Sequence, residues 1–291
     1  MTLAINLFVE KARNYLELMK LRLAWLVAFS GAFGYSLAVE KVNWLSLLLF
    51  IFAAFAITGA ANIINQIIEI DLDKLMKRTQ NRPLPSGRVS VNEASTLAVV
   101  LFAFATFIFL TEFNLRACAL AILSTILYGF VYTPLKRVGP VAVFVGAIPG
   151  AFPPMIGWVA ATNQFGLEPG ILFAIQFFWQ FPHFWAIAWV LDEDYKKAGF
   201  NLLPSKGGKN LNTAIQMMIY TLFLLPVGWL PYELGMTGIN SALVAMLFGV
   251  LFLAQTFHLM RKCSDKTALQ LMFGSFAYLP IVQIAYLLDK A

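Results

Sequence analysis

Charge is scarce in this chain. Asp, Glu, Lys and Arg make up only 12% of its 291 residues, where a soluble protein carries about a quarter. That shortage excludes an ordinary water-soluble globule. Histidine and cysteine are scarcer still, with two of each. Cys118 lies inside an apolar run and Cys263 near the end of another, without CxxC spacing, so neither a disulfide nor a cysteine metal centre is expected. Polar–apolar alternation is missing too, which excludes a membrane β-barrel. No cleavable signal peptide is evident, and the amphipathic opening from Met1 to Lys20 carries Glu10 and Glu17, unlike a transit peptide.

Long apolar runs take the place of the missing charge. Nine can be counted, at about 21–39, 44–68, 94–113, 115–133, 140–160, 169–191, 213–233, 239–260 and 268–288. Each is long enough to cross about 30 Å of hydrocarbon as a helix, and lipid leaves the backbone no partners except those within a helix. The expected fold is all-α: a polytopic membrane bundle of about nine transmembrane helices. It forms one domain over residues 1–291, with residues 1–20 as an amphipathic segment on the cytoplasmic side. The third and fourth runs meet at Asn114, which predicts an antiparallel hairpin. Pro149, Pro153, Pro154, Pro182 and Pro226 would break soluble helices, but membrane helices tolerate them where neighbours re-satisfy the freed carbonyls. Gly31, Gly34, Gly59, Gly146 and Gly150 allow helices to approach closely.

The few bases fall on one side. With nine spans, the N-terminal side holds 18 of the 21 Lys and Arg residues, leaving only Lys41, Arg116 and Lys290 opposite. Basic residues favour the cytoplasm, so the N-terminus is expected there and the C-terminus outside, in a bacterial inner membrane. The net charge of +6 is then a topology signal, and a nucleic-acid partner is not indicated. Two cytoplasmic loops, 69–93 and 192–212, mix acids with bases. Four helices separate them, which suggests a duplicated four-helix unit with both loops at one mouth.

The first loop carries the strongest constellation. Asn62, Asn65, Glu69 and Asp73 are spaced three, four and four apart, a drift of only about 80° from Asn65 to Asp73 on a helix. Asp71 points elsewhere. An all-oxygen stripe at a membrane edge is what Mg²⁺ accepts together with substrate phosphates, and Lys77, Arg78 and Arg82 follow at once to meet the remaining phosphate charge. Solvated charges at a helix end would account for the bases alone. They account less well for Asn62 and Asn65, which belong to an apolar span where unpartnered polar groups are costly. The second loop, Asp192-Glu193-Asp194-Tyr195-Lys196-Lys197, is either a solvated charge run or a second source of carboxylate. Trp179-Gln180-Phe181-Pro182-His183 puts one histidine inside a membrane helix, as a hydrogen-bonded core residue or as a contact to a polar or metal-bearing substrate. Tyr132-Thr133-Pro134-Leu135-Lys136 closes the fourth span at the same face.

These residues resemble the UbiA superfamily of intramembrane prenyltransferases: Asn65-x-x-x-Glu69-x-x-x-Asp73, Tyr132-x-x-x-Lys136 and the nine spans. Asp73-x-x-Met76-x-Arg78-Thr79-x-x-Arg82-Pro83-Leu84 and Trp179-Gln180-x-Pro182-His183 narrow the resemblance to the superfamily's haem-farnesylating branch. The resemblance implies a Mg²⁺-dependent transfer of farnesyl from farnesyl diphosphate to a vinyl group of haem B. Asn65, Glu69 and Asp73 would hold the metal and diphosphate, and Lys77, Arg78, Arg82, Tyr132, Lys136 and Asp194 would bind the diphosphate. Gln180 and His183 would meet the haem. Glu69 departs from the superfamily's usual Asp by one methylene. Partners implied are the bilayer and both substrates, with haem A synthase or a terminal oxidase assembly downstream. The rivals are a UbiA-type enzyme with another aromatic or tetrapyrrole acceptor, such as a quinone precursor or chlorophyllide, and a transporter, which would place acids near the bilayer midplane on broken helices.

Overall fold

A computed structural model describes residues 2–291, and regular structure among them is almost wholly helical. An amphipathic helix α1 (Thr2–Leu18) leads into α2 (Leu21–Ala38) and α3 (Trp44–Ile68), which a short α4 (Ile70–Asp73) continues. After a loop come α5 (Val91–Glu112) and α6 (Leu115–Ile126), a wide π turn at Leu127–Tyr132, and the single turn α7 (Thr133–Leu135). Then follow α8 (Val141–Thr162), α9 (Leu167–Val190), the short α10 (Asp192–Lys197), α11 (Leu211–Glu233), α12 (Ile239–Lys262) and α13 (Asp265–Leu288). Nine of these helical stretches, counting Leu115–Leu135 as one, are long and apolar enough to cross a membrane among the described residues. They match the nine expected runs within a few residues. Helix starts are set by local chemistry: Ser90 and Glu93 form a capping box at α5, and Asn43, Asn114, Asn210 and Ser264 cap α3, α6, α11 and α13.

α8 shows how proline is accommodated in lipid. Pro153 and Pro154 cannot donate to the carbonyls four residues back, which frees Pro149 O and Gly150 O. Ser124 Oγ donates to the first at 3.2 Å, and Gln176 Nε2 to the second at 2.8 Å. Gln176 Oε1 in turn accepts from Ser30 Oγ at 2.6 Å, and Gln283 Nε2 donates to Ser30 Oγ at 2.8 Å. One buried polar knot therefore joins α2, α8, α9 and α13.

The crossing of α2 and α8 depends on glycine. A Cβ on Gly157 would sit 1.9 Å from Gly31 O, and one on Gly34 would sit 2.0 Å from Pro154 O. At the far end of the bundle the chain terminus closes the fold. Asp289 accepts from Ser241 N (2.7 Å) at the start of α12, and Lys290 Nζ donates to Ser36 O (3.2 Å) and to Val39 O at the end of α2.

Candidate active site

α3 ends at Glu69, where the backbone leaves helical dihedrals (φ −100°, ψ 9°). The helical bonding nonetheless continues across this kink, with Glu69 N donating to Asn65 O (3.1 Å) and Asp73 N to Glu69 O (2.8 Å). The expected spacing survives: Asn65, Glu69 and Asp73 are all buried. Asp71 is turned away, its side chain 85% exposed and paired with Lys74 at 3.0 Å. Asn62 has a different task. Its Nδ2 donates to Met19 O (3.0 Å), and Gln66 Nε2 donates to Leu18 O (2.6 Å). Together they pin the α1–α2 junction onto α3. The pinned junction holds Lys20 in the left-handed region (φ 52°), which a residue with a Cβ adopts only under constraint. Its ammonium then donates to Asn65 Oδ1 at 3.0 Å.

The opposite wall comes from the π turn. Pro134 has no N–H, so the register slips and Thr133 N reaches back five residues to Tyr128 O. The slip aims Thr133 Oγ1 at Asn65 Nδ2, which donates to it at 3.0 Å and to Glu69 Oε2 at 2.8 Å. Lys136 emerges beside them. Its ammonium lies 2.5 Å from Glu69 Oε1, with the Tyr132 ring 5.1 Å away on one side and the Phe200 ring 5.5 Å away on another. α8 can pass this wall only at Gly146, where a Cβ would be 2.6 Å from the Tyr132 ring.

The first loop folds back over the mouth. Thr79 Oγ1 donates to Asp73 O (2.8 Å), and Arg82 NH1 donates to Asp73 Oδ2 (2.8 Å). Lys77 and Arg78 have exposed side chains; their backbone N–H groups donate to Asp194 Oδ1 (3.0 Å) and Oδ2 (3.2 Å). Asp194 is thus a clasp between the two loops. Burial works against its carboxylate, but these two amides and Lys197 outweigh it and hold the pKa below the usual value. The clasp is present above the ordinary carboxylate range and is lost only as pH falls through the lowered value.

Charge is tightly balanced around Asn65. Burial depresses the pKa of Lys136 although Glu69 supports its charge. Burial likewise lowers Lys20 from 10.5 to about 7, helped by repulsion from Arg82 and Lys136 and opposed by Glu69 and Asp73. Asp73 Oδ1 is sealed from solvent without a hydrogen-bond donor. Such an orphaned oxygen, one helical turn beyond Glu69 and two beyond Asn65, belongs to the hard oxygen set that Mg²⁺ takes. No group of three His, Cys, Asp or Glu forms a metal cluster among the described residues, so a metal here would depend on Asn65 and on substrate oxygens for the rest of its shell.

Gln180 and His183 lie deeper on α9 and make no hydrogen bond to this cluster. Gln180 Nε2 donates to Ala147 O and Gln176 O, each at 3.1 Å, and belongs to the bracing of α8. His183 stacks on Trp179 (4.4 Å between centroids), and its Nδ1 shares a hydrogen bond with Ser275 Oγ at 2.8 Å. Two residues that sequence reasoning left out now stand inside the site. Thr133 was hidden by its place in an apolar run, and Lys20 read as a topology charge.

Residues 26–279 match the UbiA prenyltransferase family. A Cytophaga hutchinsonii protein named protoheme IX farnesyltransferase is 58% identical over 277 residues, which span 95% of this chain and 97% of the relative. The solved structure of a digeranylgeranylglyceryl phosphate synthase is similar with a TM-score of 0.80 at 23% identity, covering 96% of this chain and 98% of its own. A UbiA homologue from Archaeoglobus fulgidus bound to DMAPP and Mg²⁺ is similar with a TM-score of 0.68 at 15% identity, covering 94% and 99%. At these identities the two structures establish the fold alone.

Proposed function

The chain belongs to the UbiA prenyltransferase family, and from that premise we propose that it moves the farnesyl group of farnesyl diphosphate onto a vinyl group of haem B (protohaem IX). The product is haem O, for use by respiratory oxidases. One observation carries the donor chemistry: a buried cluster at the membrane edge sets Glu69 and Asp73 against Lys20, Arg82 and Lys136. The acceptor follows from the relatives, whose name as protoheme IX farnesyltransferases applies over nearly the full length of the match.

In this reading Lys20, Arg82 and Lys136 bind the diphosphate oxygens, with Arg78 at the rim and Tyr132 as a hydroxyl donor. Asn65, Glu69 and Asp73 would hold Mg²⁺, as suits the DMAPP- and Mg²⁺-bound homologue. When bound, the ion withdraws charge from the leaving diphosphate. Fixed cations facing the same oxygens stabilise the negative charge that grows as the allylic C–O bond breaks. The haem vinyl attacks the farnesyl carbon, and water adds to the resulting benzylic-type cation and releases a proton. Apolar helix walls house the prenyl tail and keep stray water away. Asp194, clasping both loops, closes the rim, and His183 with Gln180 lines the deeper haem side.

Residues 1–291 act as one transmembrane catalytic domain, with the loops 69–93 and 192–212 as its rim. The membrane is the bacterial inner membrane, with the N-terminus cytoplasmic, the Ala291 end outside, and haem A synthase or an assembling oxidase as recipient of the product. Incubation with haem B, farnesyl diphosphate and Mg²⁺, followed by mass analysis of extracted haem, tests the proposal. A hydroxyethylfarnesyl adduct supports it. Absence of that adduct, with prenylation of a quinone precursor under the same conditions, overturns the acceptor.

A further inference from the structure

A second polar pocket opens beside the diphosphate cluster. It has a volume of 320 Å³ and is lined by Asp192, Lys196, Phe200, Lys206 and the Gly207-Gly208 turn, among others. Phe200 is common to the two sites, since it lines this pocket and its ring lies 5.5 Å from the Lys136 ammonium. The lining carries a surplus of positive charge. Asp192, the one acid in it, is paired with Lys196 at 2.7 Å, while Lys206 forms no ion pair among the described residues. The loop supplies further donors, because the amides of Asn201 and Lys206 donate to no protein acceptor among the described residues. Left-handed glycines at Gly199 (φ 73°) and Gly208 (φ 70°) turn the chain at either end of this stretch. Cationic side chains and spare backbone N–H groups in one concavity are the chemistry that receives carboxylates.

We propose that this pocket holds the two propionate carboxylates of the haem acceptor and so fixes which edge of the macrocycle enters the bundle. This inference rests on the haem-farnesylating reading of the neighbouring site. Haem carries its charge on one edge and its vinyl groups away from it. Carboxylates are costly inside the bilayer, so they belong at a mouth, and the apolar edge must then point inward. The pocket's Asp192 and Lys196 lie on α10, which directly follows α9, the helix that carries His183. A haem held this way has Phe200 beside it, with the proposed diphosphate site near the same ring.

The test is an optical titration of the purified full chain in nanodiscs with haem B and with its dimethyl ester, in which both carboxylates are neutral. Lys206→Glu is the informative variant, because Lys206 is exposed and its loss orphans no partner; Lys206→Arg keeps the charge. The wild type should favour haem over the ester by about tenfold. Lys206→Glu should reduce that preference at least fivefold through weaker haem binding, Lys206→Arg should keep it, and farnesyl diphosphate binding should be unchanged in both. An equal ester preference in wild type and Lys206→Glu overturns the proposal while leaving the farnesyl-transfer reading intact. Weakened binding of farnesyl diphosphate or inorganic pyrophosphate to Lys206→Glu, with haem binding unaltered, assigns the pocket to the donor and also overturns it. A wild type that binds neither haem form and yields no farnesylated haem defeats both readings.

Discussion

Asp73 is the residue on which the proposed donor site depends most. One of its oxygens is held by Arg82 at 2.8 Å and the other is sealed without a donor. Asp73→Asn keeps the shape and removes the charge. It is expected to lower farnesyl transfer at least about a hundredfold, the scale of a lost electrostatic group in a buried site, while the protein still reaches the membrane. Mass analysis of extracted haem, with size-exclusion of the detergent-solubilised protein, checks both halves; retained turnover would remove the metal assignment. Lys20 makes a pH prediction. Its pKa of about 7 leaves it partly neutral at physiological pH, and an arriving diphosphate would restore its proton. Donor affinity should therefore weaken as pH rises from 6 to 9, and Lys20→Arg, which cannot lose its charge in this range, should flatten the profile. The stability sign runs the other way. The unfolded chain keeps this proton up to 10.5 and the folded chain releases it near 7, so the cost of burying Lys20 is full below pH 7 and lifts as pH rises through that window. Binding isotherms of farnesyl diphosphate at several pH values decide the first point, and an identical slope in both proteins would count against Lys20 as a ligand.

At the level of helices, much was legible from spacing. Hydrocarbon thickness dictates span length, so nine runs could be read as nine helices, and Asn65, Glu69 and Asp73 could be placed on one face because the i, i+4 register crosses the kink at Glu69. Lys20 and Thr133 were not legible, for physical reasons. Lys20 reaches Asn65 only because Asn62 and Gln66 hold the backbone of Leu18 and Met19, and Thr133 does so only because Pro134 forces a π turn. Both are tertiary consequences that no local period encodes. The closeness of α2 and α8 gives a prediction at this scale. Gly157→Ala places a methyl group 1.9 Å from the Gly31 carbonyl, a backbone atom that cannot swing aside. The helices must part, and the loss should exceed the roughly 1–3 kcal/mol of ordinary overpacking. Gly170→Ala on α9, with nothing within 4 Å of the new methyl, should be neutral or slightly stabilising. Unfolding of both variants in mild detergent, followed by circular dichroism, compares them directly, and equal midpoints would show that this crossing does not need glycine.

The whole molecule is organised by one asymmetry. Every group argued to touch diphosphate lies at the end of the bundle that carries 18 of the 21 bases, whereas the opposite end is closed by short caps, with Asp289 on the first turn of α12 and Lys290 on the carbonyls of Ser36 and Val39. The two ends have different work. The charged end must admit two anionic substrates and let pyrophosphate leave, so it is built of loops clasped by Asp194 rather than of sealed turns. The bases proposed to bind diphosphate are also the ones that, by the positive-inside rule, would hold this face in the cytoplasm. The proposed orientation and the proposed chemistry thus rest on the same residues. The arrangement predicts that alkaline phosphatase fused after Ala291 is active and that a fusion within the loop after Lys209 is inactive, with the opposite pattern for green fluorescent protein. Since an odd number of spans puts the two chain ends on opposite sides, a fluorescent fusion at Ala291 would require either an even number of crossings or an inverted bundle. The inverted bundle would move the Asn65 cluster away from its proposed substrates, whereas an even number of crossings would leave the cluster in place and overturn the nine-span count.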